Sequence, residues 1–155
     1  MKGFKEFREL YDAGIYEFIN FHLPAFNAFE MDFRGTRGAD FGGAYLPAAN
    51  FQGANLEGAN LSYACLRGAS FQEACMEGAN FEGADLSGAT FGQTSAANTN
   101  WSGAKLRGAV LDEVTFRNAN FSHADLSGAM LNFVLDEAIF CETIMPDGSI
   151  RSDGC

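Results

Sequence analysis

The sequence predicts an all-β solenoid, a coil that turns four times per lap and stacks lap upon lap. Three observations carry this. From Ala39 onward the chain reads in fives: ADFGG, AYLPA, ANFQG, ANLEG, ANLSY, ACLRG, ASFQE, ACMEG, ANFEG, ADLSG, ATFGQ. The large residue at the centre of each unit recurs in kind every twenty residues. Composition is skewed the same way, with 16 Phe against one Trp, and 18 Gly against three Pro, a bias typical of a short repeated unit.

A period of five fits no single regular element. On an α-helix, steps of five rotate by about 140°, so no apolar stripe forms. On a continuous strand an odd period sends successive units to opposite faces. The chain must therefore turn within every unit. Ala and the central residue, two apart, point inward together, while the residue between them, often Asn or Asp, points out. The last two residues, frequently including Gly, form the corner.

Sorting by twenty sets the number of sides. Leu46, Leu66, Leu86, Leu106 and Leu126 form one inward column, and Phe51, Phe71 and Phe91, then Leu111 and Leu131, another. Asn20, Asp40, Asn60, Asn80, Asn100 and Asn120 read as one outward column. A period of fifteen mixes Phe and Leu in every column, so four sides are preferred.

These units resemble the pentapeptide-repeat family, with its A-(D/N)-L-x-x pattern, over roughly residues 21 to 145. The resemblance implies a right-handed quadrilateral β-helix; handedness does not follow from the period. The ending Thr143 to Ile150 (TIMPDGSI) is similar to tails of cyanobacterial and plastid members.

Taken in order, residues 1–20 are expected to form an N-terminal helical cap. Phe4, Phe7, Leu10 and Tyr11 share one helical face there and Gly14 is a stop. Residues 21–145 form the coil, counted from Phe21. Ala96, small at a central position, is expected to have its space filled by large neighbours. After Leu131 the units at Leu135, Phe140 and Met145 fit only if one residue is lost. Residues 146–155 are expected as a C-terminal capping tail, since an open coil end exposes backbone and core.

The net charge of −10, from 20 acids and 10 bases, argues against direct binding of nucleic acid, whose phosphates need Lys and Arg. No run of 18 apolar residues spans a membrane. Lys2, Lys5, Glu6, Arg8 and Glu9 interrupt any secretory h-region, so a cytoplasmic location is expected.

The sequence offers no catalytic, cofactor-binding or metal residues. Cys65 and Cys75 are two units apart on opposite sides, and no CxxC or Cys/His cluster occurs. Ser122, His123 and Asp125 lie close in sequence, but His123 sits at a corner, which does not build a triad. His22 reads as a packing residue. The N-x-Ser sequons at Asn60, Asn100 and Asn120 follow from the repeat itself. Cys141 and Cys155 meet only if the tail doubles back. The resemblance to members with such tails favours that disulfide, while a cytoplasmic setting argues against it. Val110 and Met130, joined by Phe133 or Val134, put apolar residues at outward positions elsewhere held by Asn, Ser or Thr. They mark either a contact surface or the seat of the tail.

The expected function is a non-catalytic protein–protein interaction scaffold with an unknown protein partner, as monomer or homodimer. The alternative implied by the family is a DNA mimic that binds or protects a type II topoisomerase (gyrase). Between Gly38 and Val134, nine acids and four bases leave −5. A DNA segment of about 26 Å carries roughly 15 charges. Arg67 and Arg107 also share a side on which a mimic would carry none.

Overall fold

The computed structural model describes residues 3–33, 38–132 and 137–155. Within them, backbone pairing is parallel and stepped: Asp40 bridges Asn60, Asn60 bridges Asn80, Asn80 bridges Asn100 and Asn100 bridges Asn120. Each lap thus takes twenty residues, four units, and the chain is a β-helix solenoid. The most regular side is a three-stranded parallel sheet of β1 (Thr90–Gly92), β2 (Val110–Asp112) and β3 (Met130–Asn132).

An accounting of backbone donors explains the unit. In residues 79–83, Ala79 N–H donates to the Met76 carbonyl at 3.0 Å and closes a turn. Asn80 donates to Ala59 on one neighbouring lap at 2.9 Å, and Phe81 to Asn100 on the other at 2.7 Å. Gly83 donates to Ser102 at 2.9 Å. The remaining N–H, of Glu82, goes to the Asn80 side-chain oxygen at 3.1 Å. Outward Asn or Asp is therefore a structural preference: it satisfies a donor the laps do not. The chain's three prolines obey the same logic. Pro24, Pro47 and Pro146 each follow by two an outward residue without a carboxylate or carboxamide (His22, Tyr45, Ile144). Proline has no N–H to satisfy, and its fixed φ suits the first central position of a turn.

Inside, rings stack lap on lap. Phe51–Phe71 and Phe71–Phe91 lie 5.2 and 5.0 Å apart, nearly parallel. A second stack runs Phe81–Trp101–Phe121–Phe140 at 4.3, 5.8 and 5.7 Å. A buried polar pair rests on the Ala96 carbonyl. The Trp101 indole N–H donates to Thr99 Oγ1 at 2.6 Å, and that hydroxyl donates to the Ala96 carbonyl at 2.6 Å.

The first lap departs from the expected phase. Glu17 pairs with Asp40, His22 with Tyr45, Asn27 with Asn50 and Asp32 with Asn55, an offset of 23 instead of 20. The coil therefore begins before residue 21, inside the segment expected as cap. Asn20 is a corner residue (φ 57°) and Glu17, not Asn20, heads the outward column. Phe18 takes the central position, and Phe21 the place two before Leu23. The cause is that both inward positions of a unit are apolar, so F-x-L and F-x-A read equally well in either phase. Near the C-terminus Asn120 pairs with Ile139 and Asp125 with Ile144, an offset of 19, which matches the expected loss of one residue.

Both ends are covered. Helix α1 (Phe4–Asp12) buries Phe7 against Phe18 and Phe26, with ring centroids 4.6 and 4.5 Å away. Glu6 caps the N–H of Gly3 at 2.9 Å. At the other end β4 (Thr143–Ile144) and β5 (Ile150–Arg151) form an antiparallel hairpin.

Candidate interaction surface

Four outward columns differ in chemistry. On the first side Asn60 donates to Asp40 Oδ1 at 2.9 Å, Asn80 to Asn60 at 3.4 Å and Asn100 to Asn80 at 3.1 Å. This ladder starts on Asp40, an acceptor only, and its amides are engaged with the coil itself.

On the second side, charges alternate. Arg67 meets Asp85 at 3.6 Å and Arg107 meets Asp125 at 3.5 Å, and backbone pairing sets Asp85, Lys105 and Asp125 in succession along the column. Burial pushes the Asp85 carboxyl up, but the Ser87 hydroxyl and N–H, with Arg67 and Lys105, outweigh it and leave it below its ordinary range. Asp125 is likewise held low against burial, by Ser127 and Arg107. Further along this side His22, read as a packing residue, packs at the surface: it stacks on Tyr45, centroids 4.5 Å apart, and is exposed. It borders a groove of about 340 Å³ lined by Phe4, His22, Leu23, Pro24, Ala25, Phe26 and Asn27.

The third side carries the expected apolar run. Thr90, Val110 and Met130 are in register on β1, β2 and β3. Val110 is half-buried and Met130 is 62% exposed. Phe133 and Val134 lie outside the described residues. On the fourth side Cys75 pairs with Asn55 and Ser95, a different column from Cys65, which pairs with Tyr45 and Asp85; both thiols are free.

Ser122, His123 and Asp125 do not converge. The Ser122 hydroxyl donates to Asn120 at 2.7 Å, His123 meets Glu142 at 3.3 Å from its corner, and Asp125 turns to Arg107. Among the described residues no group of three His, Cys, Asp or Glu could hold a metal, and no helix is long and apolar enough to cross a membrane. Cys141 and Cys155 are joined as a disulfide, Cα atoms 4.9 Å apart.

A family model described as pentapeptide repeats matches in overlapping stretches between residues 37 and 132. The chain belongs to the pentapeptide-repeat family. Among solved structures, it is similar to a pentapeptide-repeat protein of the Arabidopsis thaliana thylakoid lumen. That match has 27% identity over 78% of this chain and 72% of the other, at TM-score 0.40. Rfr23, from the cyanobacterium Cyanothece, matches at 22% identity over 92% and 95%, TM-score 0.41. Full-length QnrB1, a plasmid-mediated fluoroquinolone resistance protein, matches at 17% identity over 89% and 92%, TM-score 0.31. No curated protein matches the chain.

The groove and the His22–Tyr45 stack are the surface features that sequence reasoning missed. The signal for them was present: HLPA at 22–25 and YLPA at 45–48 align 23 residues apart.

Proposed function

We propose that this pentapeptide-repeat protein is a non-catalytic scaffold, a right-handed quadrilateral β-helix that offers a flat side to a protein partner. The observation that carries the reading is the third side. There the outward column changes from Thr90 to Val110 to Met130, and Met130 keeps 62% of its surface exposed on the last strand of its sheet. An apolar side chain at that place does nothing for the donor accounting that explains outward Asn and Asp. Desolvating it against a partner is favourable.

Direct binding to nucleic acid is disfavoured by the net charge of −10. DNA mimicry toward a type II topoisomerase is the second reading. Against it stand the Arg67–Asp85 and Arg107–Asp125 pairs, which neutralise part of one side. The cytoplasmic expectation and the tail disulfide pull in opposite directions, because reducing compartments keep thiols open.

The test is affinity capture of N-terminally tagged protein from its native cells, at low and high salt, beside Met130→Glu and Val110→Asn. A specific protein retained by the parent and lost by both variants supports the scaffold reading. Capture of a topoisomerase, released by salt and indifferent to both substitutions, would replace it with mimicry. An identical set of captured proteins in all three samples would remove the third side as the interface.

A further inference from the structure

We infer that the Cys141–Cys155 bond is a redox-operated latch on a lid formed by residues 145–155, which closes the C-terminal end of the coil. The lid lies on the last ring of the second aromatic stack. Phe140 is fully buried, with the Arg151 guanidinium 4.1 Å over its ring. Arg151 itself donates to both Asp153 carboxylate oxygens. Gly154 N–H donates to the Phe140 carbonyl at 2.8 Å. A Cβ at Gly154 would come within 2.8 Å of the Phe140 nitrogen and 2.9 Å of Ile139 Cγ2, so the tail backbone rests directly on the edge of the coil.

Besides the Phe140 contacts and the Gly128 N–H donated to the Pro146 carbonyl at 2.9 Å, two further attachments hold the lid. One is the β4–β5 hairpin, turning through Pro146 to Gly148, with Ser152 Oγ accepting the Glu142 N–H at 3.0 Å. The other is the disulfide, which closes a loop of sequence separation 14. Loop-closure entropy for a ring of that size biases the lid toward closure by roughly a hundred-fold. Without the bond, the hairpin, the Arg151 contact with Phe140 and the bonds from Gly154 to Phe140 and from Gly128 to Pro146 hold the segment, far fewer hydrogen bonds than the coil has. The coil beneath is held by whole columns of them.

Cys155 is exposed and Cys141 half-buried, so an incoming dithiol reaches Cys155 first. Its thiolate attacks Cys155 Sγ, and Cys141 leaves as a thiolate that takes up a proton. The second thiol of the reductant then displaces Cys155, which is protonated in turn. Two electrons pass to the chain, and the dithiol becomes a disulfide. The opened lid uncovers the Phe140 ring and an unpaired carbonyl, an edge on which another strand can seat.

The test uses the full chain carrying Cys65→Ser and Cys75→Ser, so that only the latch thiols remain. Denatured without reductant it should take up no maleimide, and after dithiothreitol two. Hydrogen exchange should show Glu142 and Gly154 amides losing protection roughly a hundred-fold on reduction, with Asn80 and Asn100 unchanged. Adding Cys141→Ser and Cys155→Ser should reproduce the reduced pattern without reductant. Reactive thiols before reduction, unaltered protection after it, or loss spreading to Asn80 and Asn100 would each overturn the latch.

Discussion

Replacing Thr99 by Val tests how the core tolerates its one tryptophan. The substitution keeps shape and removes a hydroxyl that is almost wholly buried, between a fully buried Trp101 and the Ala96 carbonyl. Two hydrogen bonds go, each worth a net ~0.5–1.5 kcal/mol, and the orphaned indole N–H adds ~1–3 kcal/mol. The Ala96 carbonyl can recover a turn bond of the kind Ala79 makes to Met76, so the sum is taken as about 3 kcal/mol. Thr99→Ser keeps both bonds and loses one methyl, about 1 kcal/mol. In a Trp101→Phe background there is no indole donor to strand, and Thr99→Val should cost only about 1 kcal/mol. The coupling between the two sites is then about 2 kcal/mol. Urea unfolding at neutral pH, followed by far-UV circular dichroism in the four chains of the cycle and in Thr99→Ser, measures it, with equal slopes required because repeat arrays can lose two-state behaviour. If Thr99→Val and Thr99→Ser cost the same, or if the two sites are additive, the indole is not held as described.

Gly38→Ala should be far more damaging than Gly78→Ala, since the new Cβ at Gly38 overlaps the Gly58 carbonyl while that at Gly78 meets nothing. Both pay about 1–2 kcal/mol for a left-handed backbone, and Gly38 pays roughly 1–3 more, read as urea midpoints. Glu77→Pro should stabilise by about 0.5–1 kcal/mol, because outward Cys75 offers its N–H no carboxamide. Glu82→Pro should cost about 1 kcal/mol, because Asn80 accepts that N–H at 3.1 Å; equal effects at the two sites would refute the donor accounting. Asp85 and Asp125 titrate below the ordinary range in the folded chain, so their contribution is complete above about pH 4 and is lost as pH falls through the lowered folded values. Asp85→Asn with Asp125→Asn should therefore shrink the fall in urea midpoint between about pH 5 and about pH 2.5, and a fall as large as the parent's would count against these pairs.

Most of the solenoid was legible because stacking constrains inward residues in two ways at once. A central residue must fit its unit and also the residue twenty away, so Phe51, Phe71 and Phe91 announce both the unit and the lap. The first lap was misread where that double constraint failed. Phe18, Phe21, Leu23 and Phe26 fill inward places of both kinds, so apolarity alone fixed no phase. One wrong phase then misplaced Asn20 and left the outward place of His22 unread. The paired prolines would have corrected it, because proline is confined to the turn position whose N–H has no side-chain acceptor.

The same constraints say where function has room to be written. Inward positions answer to stacking, and outward Asn and Asp answer to the backbone donor two residues on. Where proline removes that donor, the outward residue is released, as at His22, Tyr45 and Ile144. Val110 and Met130 have neither a proline nor a carboxamide to justify them, and they stand in register on adjacent strands of the chain's most regular sheet. The fold requires no particular residue at such a place, and under the proposed scaffold reading the choice there answers to a partner. The period is silent about that choice because it operates only on residues that face inward or serve the backbone. The partner is therefore to be sought through Met130 first, where the exposed apolar area is larger and the fold loses least when it is changed.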